Sequence, residues 1–532
     1  MLIRSCLLRV LVLLVITVGP ALSAERPNVL FIFSDDHAPH AIGAYDGWLK
    51  SVNPTPNIDR LARQGMLFQN SFCTNSICGP SRAVILTGKH SHLNGFMRNG
   101  NKFNGAQQTF PKLLQRVGYQ TAMIGKWHLS SDPQGFDHWQ ILPGQGQYYN
   151  PDFKTVEGRK RIDGHCTDLV TDMALDWLKN RKDSGKPFML MCQHKAPHRT
   201  WMPALRHLSL YNDIKIPEPP TLFDRWKDNA SPARHQEMEV DGHLNIVYDL
   251  FGPPVNGWDP NKGRSVDKSG FRNLMKMTPA QLAAWKAGFA DQNAKLVRDG
   301  LTGKKFVRWK YQRYIRNYLR CIKGVDESVG RLMEYLKLSG LEKNTIVIYS
   351  SDQGFYLGDH GWYDKRWMYD ESMKMPLIVR WPGVTRPGSV NTDLVQNLDY
   401  AETFLDVAGV KVPDDMQGRS LVPLLKGESP RWRDSLYYHY FEFPSYHMVA
   451  KHYGIRTSRY KLIRFYQFDE WELYDLKKDP DELKNLYGKP KYADTIAELK
   501  RGLENLRTRY RDNSDVSVMP AEWQKKYRVD RN

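Results

Sequence analysis

Two pairs of oxygen-bearing residues and one cysteine carry the most chemistry in this chain. Asp35 adjoins Asp36, and Asp352 adjoins Gln353, giving three carboxylates and an amide carbonyl. Gathered in one place without a cation, three carboxylates repel and their pKa values rise. An all-oxygen set of this charge suits a hard divalent ion, calcium or magnesium, rather than zinc. Each pair alone has an ordinary reading, because aspartate at a strand end often caps the helix that follows. The cysteine is Cys78, in Ser76-Ile77-Cys78-Gly79-Pro80-Ser81-Arg82 at the head of an amphipathic helical pattern. A thiol that attacks phosphate esters needs a longer loop before its arginine to cradle an oxyanion. Here only Gly79, Pro80 and Ser81 intervene before Arg82. A disulfide with Cys73 stays open on spacing alone.

These residues need elements that bring them together. Four short apolar runs each end in a polar cluster. Residues 28–33 lead into Ser34-Asp35-Asp36-His37, and residues 121–125 into Lys126-Trp127-His128. Residues 187–192 lead into Gln193-His194-Lys195-Ala196-Pro197-His198, and residues 344–350 into Ser351-Asp352-Gln353. Continuous apolar runs of this length predict strands buried on both faces, as in a largely parallel sheet. Helical patterns at 57–65, 111–118 and 167–180 alternate with them. A longer one aligns Tyr311, Ile315, Tyr318, Ile322, Val325, Val329, Leu332 and Leu336 on one face, the mark of core packing. Ligands of open α/β sheets bind beyond the carboxyl ends of the strands, so the four polar clusters are placed to converge. Residues 200–300 are rich in proline and aromatic residues and lack clean periodicity, which predicts long ordered loops over the sheet edge. From 435 onward, "SLYYHYF", "GIRT", "YKLIRFY" and "WELYDL" alternate as in a small antiparallel sheet, followed by a closing helix over 492–511. The expected fold is α/β: a large mixed, mostly parallel sheet flanked by helices over 25–430. A smaller α+β unit with the antiparallel sheet and helix is expected over 431–532.

Of the 532 residues, 41% are hydrophobic and 25% charged, the balance of a globular protein. Residues 1–24 differ: Arg4 and Arg9 precede an apolar run over 10–18, then Gly19-Pro20 and small residues up to Ala24. That run is too short to span a bilayer and reads as a secretory signal peptide. No later stretch reaches transmembrane length, so no stable membrane insertion is expected. The net charge is +18, and losing Arg4 and Arg9 with the leader leaves +16. The basic residues are spread along the chain without a nucleic-acid module, so the sign favours an acidic substrate other than nucleic acid. Without Cys6 of the leader, Cys73, Cys78, Cys166, Cys192 and Cys321 remain. Five in so large an exported chain is no disulfide scaffold, and the odd count leaves at least one unpaired.

The segment Cys78-Gly79-Pro80-Ser81-Arg82-Ala83-Val84-Ile85-Leu86-Thr87-Gly88 resembles the signature of the type I sulfatases, Cys-x-Pro-Ser-Arg-x-x-x-Leu-Thr-Gly, at every defined position. "PNVLFIFSDD", "TPNIDRLARQGMLFQNSFC", "GKWHL", "KAPH", "SDQGFYLGDHGWYDKRWMYDE" and "ELYDLKKDPDELKNLY" resemble further segments of that family in the same order. The resemblance covers nearly the whole mature chain and implies an alkaline-phosphatase-like fold. It implies that a formylglycine-generating enzyme oxidises Cys78 to formylglycine (3-oxoalanine) during export. Asp35, Asp36, Asp352 and Gln353 would hold one calcium ion. The hydrated aldehyde would attack sulfur, stabilised by Arg82 with Lys126 and His128, and His128 is the candidate base for releasing sulfate. His198 and Lys365 would bind sulfate oxygens, with His198 the candidate acid for the leaving alcohol. Lys365 stands four residues before Tyr369, as the family's Lys-x-x-x-Tyr spacing requires. Gln353 departs from the commoner asparagine, offering the same oxygen on a longer arm.

The implied protein is an exported sulfuric ester hydrolase, periplasmic or secreted, or lysosomal in an animal, acting on a sulfated carbohydrate. It looks most like relatives acting on N-acetylglucosamine-6-sulfate and other glycosaminoglycan sulfates. A phosphomonoester or phosphonate ester hydrolase of the same superfamily is one rival. The other is a non-catalytic sulfated-glycan-binding protein, with Cys78 left unmodified. His37, His40, His194 and Lys195 lie beside the clusters without a motif role and read as supporting or surface residues. His447 and His452 are candidates to reach the site from the C-terminal unit.

Overall fold

The period-two alternation of each apolar run divides its side chains between two layers. In β1 (Asn28–Ser34), Val29, Phe31 and Phe33 join one apolar cluster while Leu30 and Ile32 join another. A computed structural model describes residues 26–527 apart from 53, 54 and 264, so the expected leader lies outside the described residues. The sheet that separates the two clusters has ten strands. They are β1, β2 (Met66–Phe68), β3 (Gln120–Lys126), β4 (His138–Leu142), β5 (Asp152–Thr155) and β6 (Gly158–Arg161), then β7 (Phe188–Gln193), β8 (Thr345–Ser351), β9 (Leu377–Arg380) and β10 (Ser389–Asn391). Their order is β10-β2-β9-β8-β1-β7-β3-β4-β5-β6. The central β8, β1, β7, β3 and β4 run parallel, while β9, β5 and β6 introduce antiparallel pairs. The four runs read as buried strands are β1, β3, β7 and β8.

Helices cover both faces. On one, α1 (Gly303–Leu338) presents Tyr311, Ile315, Tyr318, Ile322, Val325, Val329, Leu332 and Leu336, all without exposed surface. Asp326 on the same helix accepts the backbone N–H groups of Asn57 (2.9 Å) and Ile58 (3.0 Å), satisfying donors that the helix over Pro56–Gln64 leaves open. Tyr318 donates to the Asp36 carbonyl (2.7 Å) and accepts from the Ala38 N–H (2.9 Å). The central helix thus grips the turn that carries the first carboxylate pair.

Residues 200–300 differ from the expected loops. They contain a 21-residue helix, Pro279–Asp299, opened by a capping box in which Thr278 and Gln281 bond reciprocally at 3.2 and 2.9 Å. Only Trp285, Phe289 and Leu296 of that helix are buried, too thin a stripe to register as a helical period. Beyond Ser435 a separate four-stranded antiparallel sheet forms from Ser435–Tyr440, His452–Thr457, Tyr460–Phe465 and Glu470–Asp475, paired in chain order. The helix Ala493–Arg509 packs on it through Leu499, Leu503 and Leu506. No helix among the described residues is long and apolar enough to cross a membrane.

Truncating Ile322 to alanine should cost about 2–5 kcal/mol, because the filled layer against the sheet cannot close the gap. The midpoint of urea unfolding, followed by tryptophan fluorescence, measures it.

Candidate active site

All ten residues singled out in the sequence meet at one end of the sheet. Asp35 and Asp36 follow β1, Lys126 closes β3 with His128 two residues on, His198 lies just past β7, and Asp352 and Gln353 follow β8. Cys78 and Arg82 sit in the first turn and a half of the helix Cys78–Thr87, every residue of which is buried. Lys365 comes from the strap between β8 and β9. Asp36, His128, Asp364 and Arg366 hold φ values of 66°, 57°, 75° and 94°. Left-handed backbone at four non-glycine residues stores about 1–3 kcal/mol each, which the surrounding packing must offset.

Charge is matched pairwise. Lys126 pairs with Asp35, and Lys365 with Asp36 at 2.6 Å. Arg82 forks onto Asp352 through Nε (3.2 Å) and Nη2 (3.0 Å), while its Nη1 donates to the Lys126 carbonyl (2.7 Å) and to Gln193 (2.5 Å). Asp35, Asp36 and Asp352 each place an oxygen within 4.8 Å of the other two. Burial pushes the Asp36 pKa up to about 7; Lys365 opposes this and Asp352 adds to it. Burial acts the other way on Lys126, whose pKa falls well below the lysine range, with Lys195 as a further repelling charge. Asp35 Oδ1 and Gln353 Oε1 are buried without a hydrogen-bond partner. Two unpaired oxygens beside three crowded carboxylates fit a hard divalent cation, which would relieve the repulsion.

Cys78 lies at the floor of a cleft of about 840 Å³. Its Sγ is 4.0 Å from Gln353 Nε2. Burial pushes its thiol up to about 12, against the pull of Lys365, so the group is not a thiolate at neutral pH. Cys73, Cys78, Cys166, Cys192 and Cys321 are all free, so the Cys73–Cys78 disulfide left open by spacing does not form. The next residue must be small: a Cβ on Gly79 would lie 2.6 Å from the Phe96 ring and 2.9 Å from Asn99 Oδ1.

Both histidines assigned to the site are neutral. Burial, then the charges of Lys126 and Arg82, hold His128 well below the ordinary imidazole range, and its Nδ1 has no partner. Burial with Lys126 and Lys365 does the same to His198. His198 Nδ1 bonds the Arg199 carbonyl, so that nitrogen carries the proton and bare Nε2 faces Asp36 Oδ2 at 3.7 Å. Of the outlying candidates, His447 stands 3.3 Å from Asp364 Oδ2, one residue from Lys365. His452 is packed among Trp367, Tyr438, Tyr440 and Phe465 and stays out of the cleft. His37 bonds Tyr349 and is held near 3 by burial, and His194 is 2.9 Å from Ser328 Oγ.

Residues 27–410 match the family described as Sulfatase. The chain belongs to the sulfatase family. Membership makes it a sulfuric ester hydrolase, on the alkaline-phosphatase-like fold of its structural neighbours. Residues 358–509 also match the family described as N-sulphoglucosamine sulphohydrolase, C-terminal. An N-acetylglucosamine-6-O-sulfatase of Bacteroides thetaiotaomicron is 47% identical over 503 residues, covering 92% of this chain and 88% of that one. A solved structure of a protein in complex with its substrate D-glucosamine-2-N,6-O-disulfate superposes with a TM-score of 0.87 at 46% identity, over 92% of this chain and 99% of that one. A phosphonate monoester hydrolase from Silicibacter pomeroyi shares the fold, with a TM-score of 0.66 at 22% identity, covering 92% of this chain and 96% of that one.

The sulfatase also recruits residues without a sequence signal. Asn99 receives the Gly79 N–H (3.2 Å), and Gln145 accepts from Lys126 (2.6 Å); both line the cleft from irregular loops. Asp364 and Arg366 flank Lys365 and line the same wall. Tyr438, from the C-terminal sheet, accepts the Ser76 N–H (3.1 Å) and donates to the Arg366 carbonyl (2.6 Å). It ties the loop before Cys78 to the strap that carries Lys365. Tyr438→Phe leaves both backbone groups unpaired, at a cost of about 1–3 kcal/mol. It should lower kcat about tenfold with little change in KM for an aryl sulfate, measured by steady-state kinetics beside a thermal melt.

Proposed function

We propose that this sulfatase removes the 6-O-sulfate of sulfated glucosamine units in a carbohydrate such as a glycosaminoglycan. The observation that carries this reading is the 47% identity, over 92% of the chain, to the N-acetylglucosamine-6-O-sulfatase. Residues 25–430 would form the catalytic unit and 431–532 the C-terminal subdomain, with 1–24 a signal peptide for export to the periplasm or the medium. Asp35, Asp36, Asp352 and Gln353 would hold a calcium ion, which would supply positive charge to the sulfate group. Oxidised to formylglycine by the formylglycine-generating enzyme, residue 78 supplies a hydrated aldehyde as the nucleophile toward sulfur.

The chain's own residues do the rest. Lys365 offers its ammonium group to the sulfate oxygens, where charge grows as the S–O bond breaks, and the arriving anionic ester raises the burial-lowered basicity of Lys126 so that it donates beside Lys365. Arg82, fixed by its four hydrogen bonds, holds residue 78 and Asp352 in one frame. Neutral His128 takes the proton from residue 78 when sulfate leaves. His198 meets the leaving oxygen with Nε2, which must first gain a proton; the arriving anionic ester raises its basicity for that step.

Intact-peptide mass spectrometry across residues 71–89 of protein from the native host should find the aldehyde at position 78. An unmodified thiol there rejects the mechanism and favours a glycan-binding role. kcat/KM for an aryl sulfate should exceed that for the matching aryl phosphate by about a hundredfold or more, and the reverse order selects a phosphoester hydrolase. Chelation should abolish turnover and calcium restore it.

The pH profile reads His128. Its depressed pKa keeps it a base to lower pH, so the acid limb of kcat/KM should fall below about 6.5, the ordinary histidine value. A limb at or above that value in wild type, retained in His128→Gln, would exclude it.

A further inference from the structure

Lys195 is a buried cation without a carboxylate. It stands in the turn after β7, where the His194 N–H bonds the Phe33 carbonyl (2.7 Å) and the His198 N–H bonds the Lys195 carbonyl (3.0 Å). Its ammonium lies over the Tyr148 ring, 4.9 Å from the centroid, and the Tyr148 hydroxyl donates to the His198 carbonyl (2.7 Å). Backbone and ring together fix its direction. The residue is 3% exposed and lines the cleft that has Cys78 at its floor.

Its neighbours on the cleft wall are differently placed. Lys365, Arg366, Lys276, Arg272 and Arg199 each have an acidic side chain within 4 Å: Asp36, Asp364, Asp152, Asp267 and Asp249. Among the described residues Lys195 has no ion-pair or hydrogen-bond partner for its ammonium; the aromatic face is its one compensation. Burying an ammonium without a counter-ion costs several kcal/mol, so a group kept this way in a cleft marks a place where an anion arrives. Burial also lowers the Lys195 pKa, opposed by Cys166 first and then by Asp267 and Asp36. The floor already matches Lys126, Lys365 and Arg82 to three carboxylates. Lys195 is surplus to that balance, and the next rim cation is the exposed Lys268.

We propose that Lys195 is a specificity-determining residue, binding a second sulfate on the same sugar as the ester that is cleaved. This rests on the glucosamine-sulfate reading above. Cation–π support from Tyr148 holds the ammonium in place before substrate arrives, and the second sulfate completes its charge pairing. The enzyme would thereby favour disulfated over monosulfated sugar.

The test compares glucosamine 6-O-sulfate with glucosamine 2-N,6-O-disulfate in wild type, Lys195→Met and Lys195→Arg. The readout is the ratio of kcat/KM for disulfate over monosulfate, taken within one preparation and so insensitive to the fraction folded. Wild type should favour the disulfate. The ratio should drop about tenfold in Lys195→Met and recover to within about threefold in Lys195→Arg, since the charge rather than the packing is what binds. A ratio unchanged in Lys195→Met overturns the proposal, whether both rates fall together or neither does. A wild type that cleaves aryl sulfate but neither sugar overturns the substrate reading and this inference together. Turnover of both sugars with a flat ratio removes Lys195 alone.

Discussion

Three buried carboxylates with oxygens within 4.8 Å of one another set the terms for the whole catalytic end of this protein. Asp35, Asp36 and Asp352 would be untenable alone in a dry site, and so would Lys126, Lys365 and Arg82. Paired, they neutralise one another, and each partner comes from a different segment of the chain. The constraint therefore acts on the sheet. Ser34 of β1 sits opposite Ser351 of β8, which sets Asp35 beside Asp352, and the Asp36 N–H reaches Asp352 Oδ1 at 3.0 Å. A slip of one residue in that register would turn one of the pairs toward the opposite face. The wholly buried strands do more than build a core: Val29, Phe31 and Phe33 on one side and Leu30 and Ile32 on the other lock the register on which the charge pairing depends.

The strap that carries Lys365 is held just as firmly from the other unit. Tyr369 donates to Glu472 (2.7 Å), and Asp370 pairs with Arg456 (2.8 Å) and Lys461 (2.7 Å), all three partners on the C-terminal sheet. His360, Trp362, Trp367 and Tyr369 stack along the strap. Burial alone would strip the His360 proton, but Asp224 and Glu371 outweigh it and hold its pKa up near 10. An imidazolium held between Asp224 and Glu371, each at 3.6 Å, thus anchors the strap. The antiparallel sheet is in this sense a clamp on the active site, even though its own strands offer the cleft no nucleophile or base.

Sequence legibility followed the same physical lines. Four central strands could be read because burial on both faces produces continuous apolar runs, and the long helix because about seven turns, from Tyr311 to Leu336, carry an unbroken stripe. That the polar clusters converge could be read because Asp35, Lys126 and Asp352 stand directly after those runs and His198 a few residues past one, while the roles given to them rest on the family resemblance. The helix over Pro279–Asp299 was missed because three buried side chains give almost no period, although Thr278 and Gln281 carried its start signal. Tyr438 read as one more alternating aromatic of a strand; that its hydroxyl braces two active-site segments depends on how the sheets dock. Lys195 was visible within the third polar cluster, but its missing counter-ion is a property of three dimensions.

Gln353 joins the two halves of the chemistry. A shorter asparagine at this position would offer an oxygen to the cation but would reach less far past it. Here Nε2 donates to Asp36 and stands 4.0 Å from Cys78 Sγ, while Oε1 is left buried and unpaired among the carboxylates. The longer arm spans from the oxygen cluster to residue 78, so a cation drawn to Oε1 would also fix the amide N–H groups beside the nucleophilic position. Because the thiol at 78 is held protonated by the same buried surroundings, that position has no useful charge of its own as cysteine. The surroundings favour a neutral group there, with charge arriving on the substrate, and the hydrated aldehyde proposed for residue 78 meets that condition where a thiolate does not.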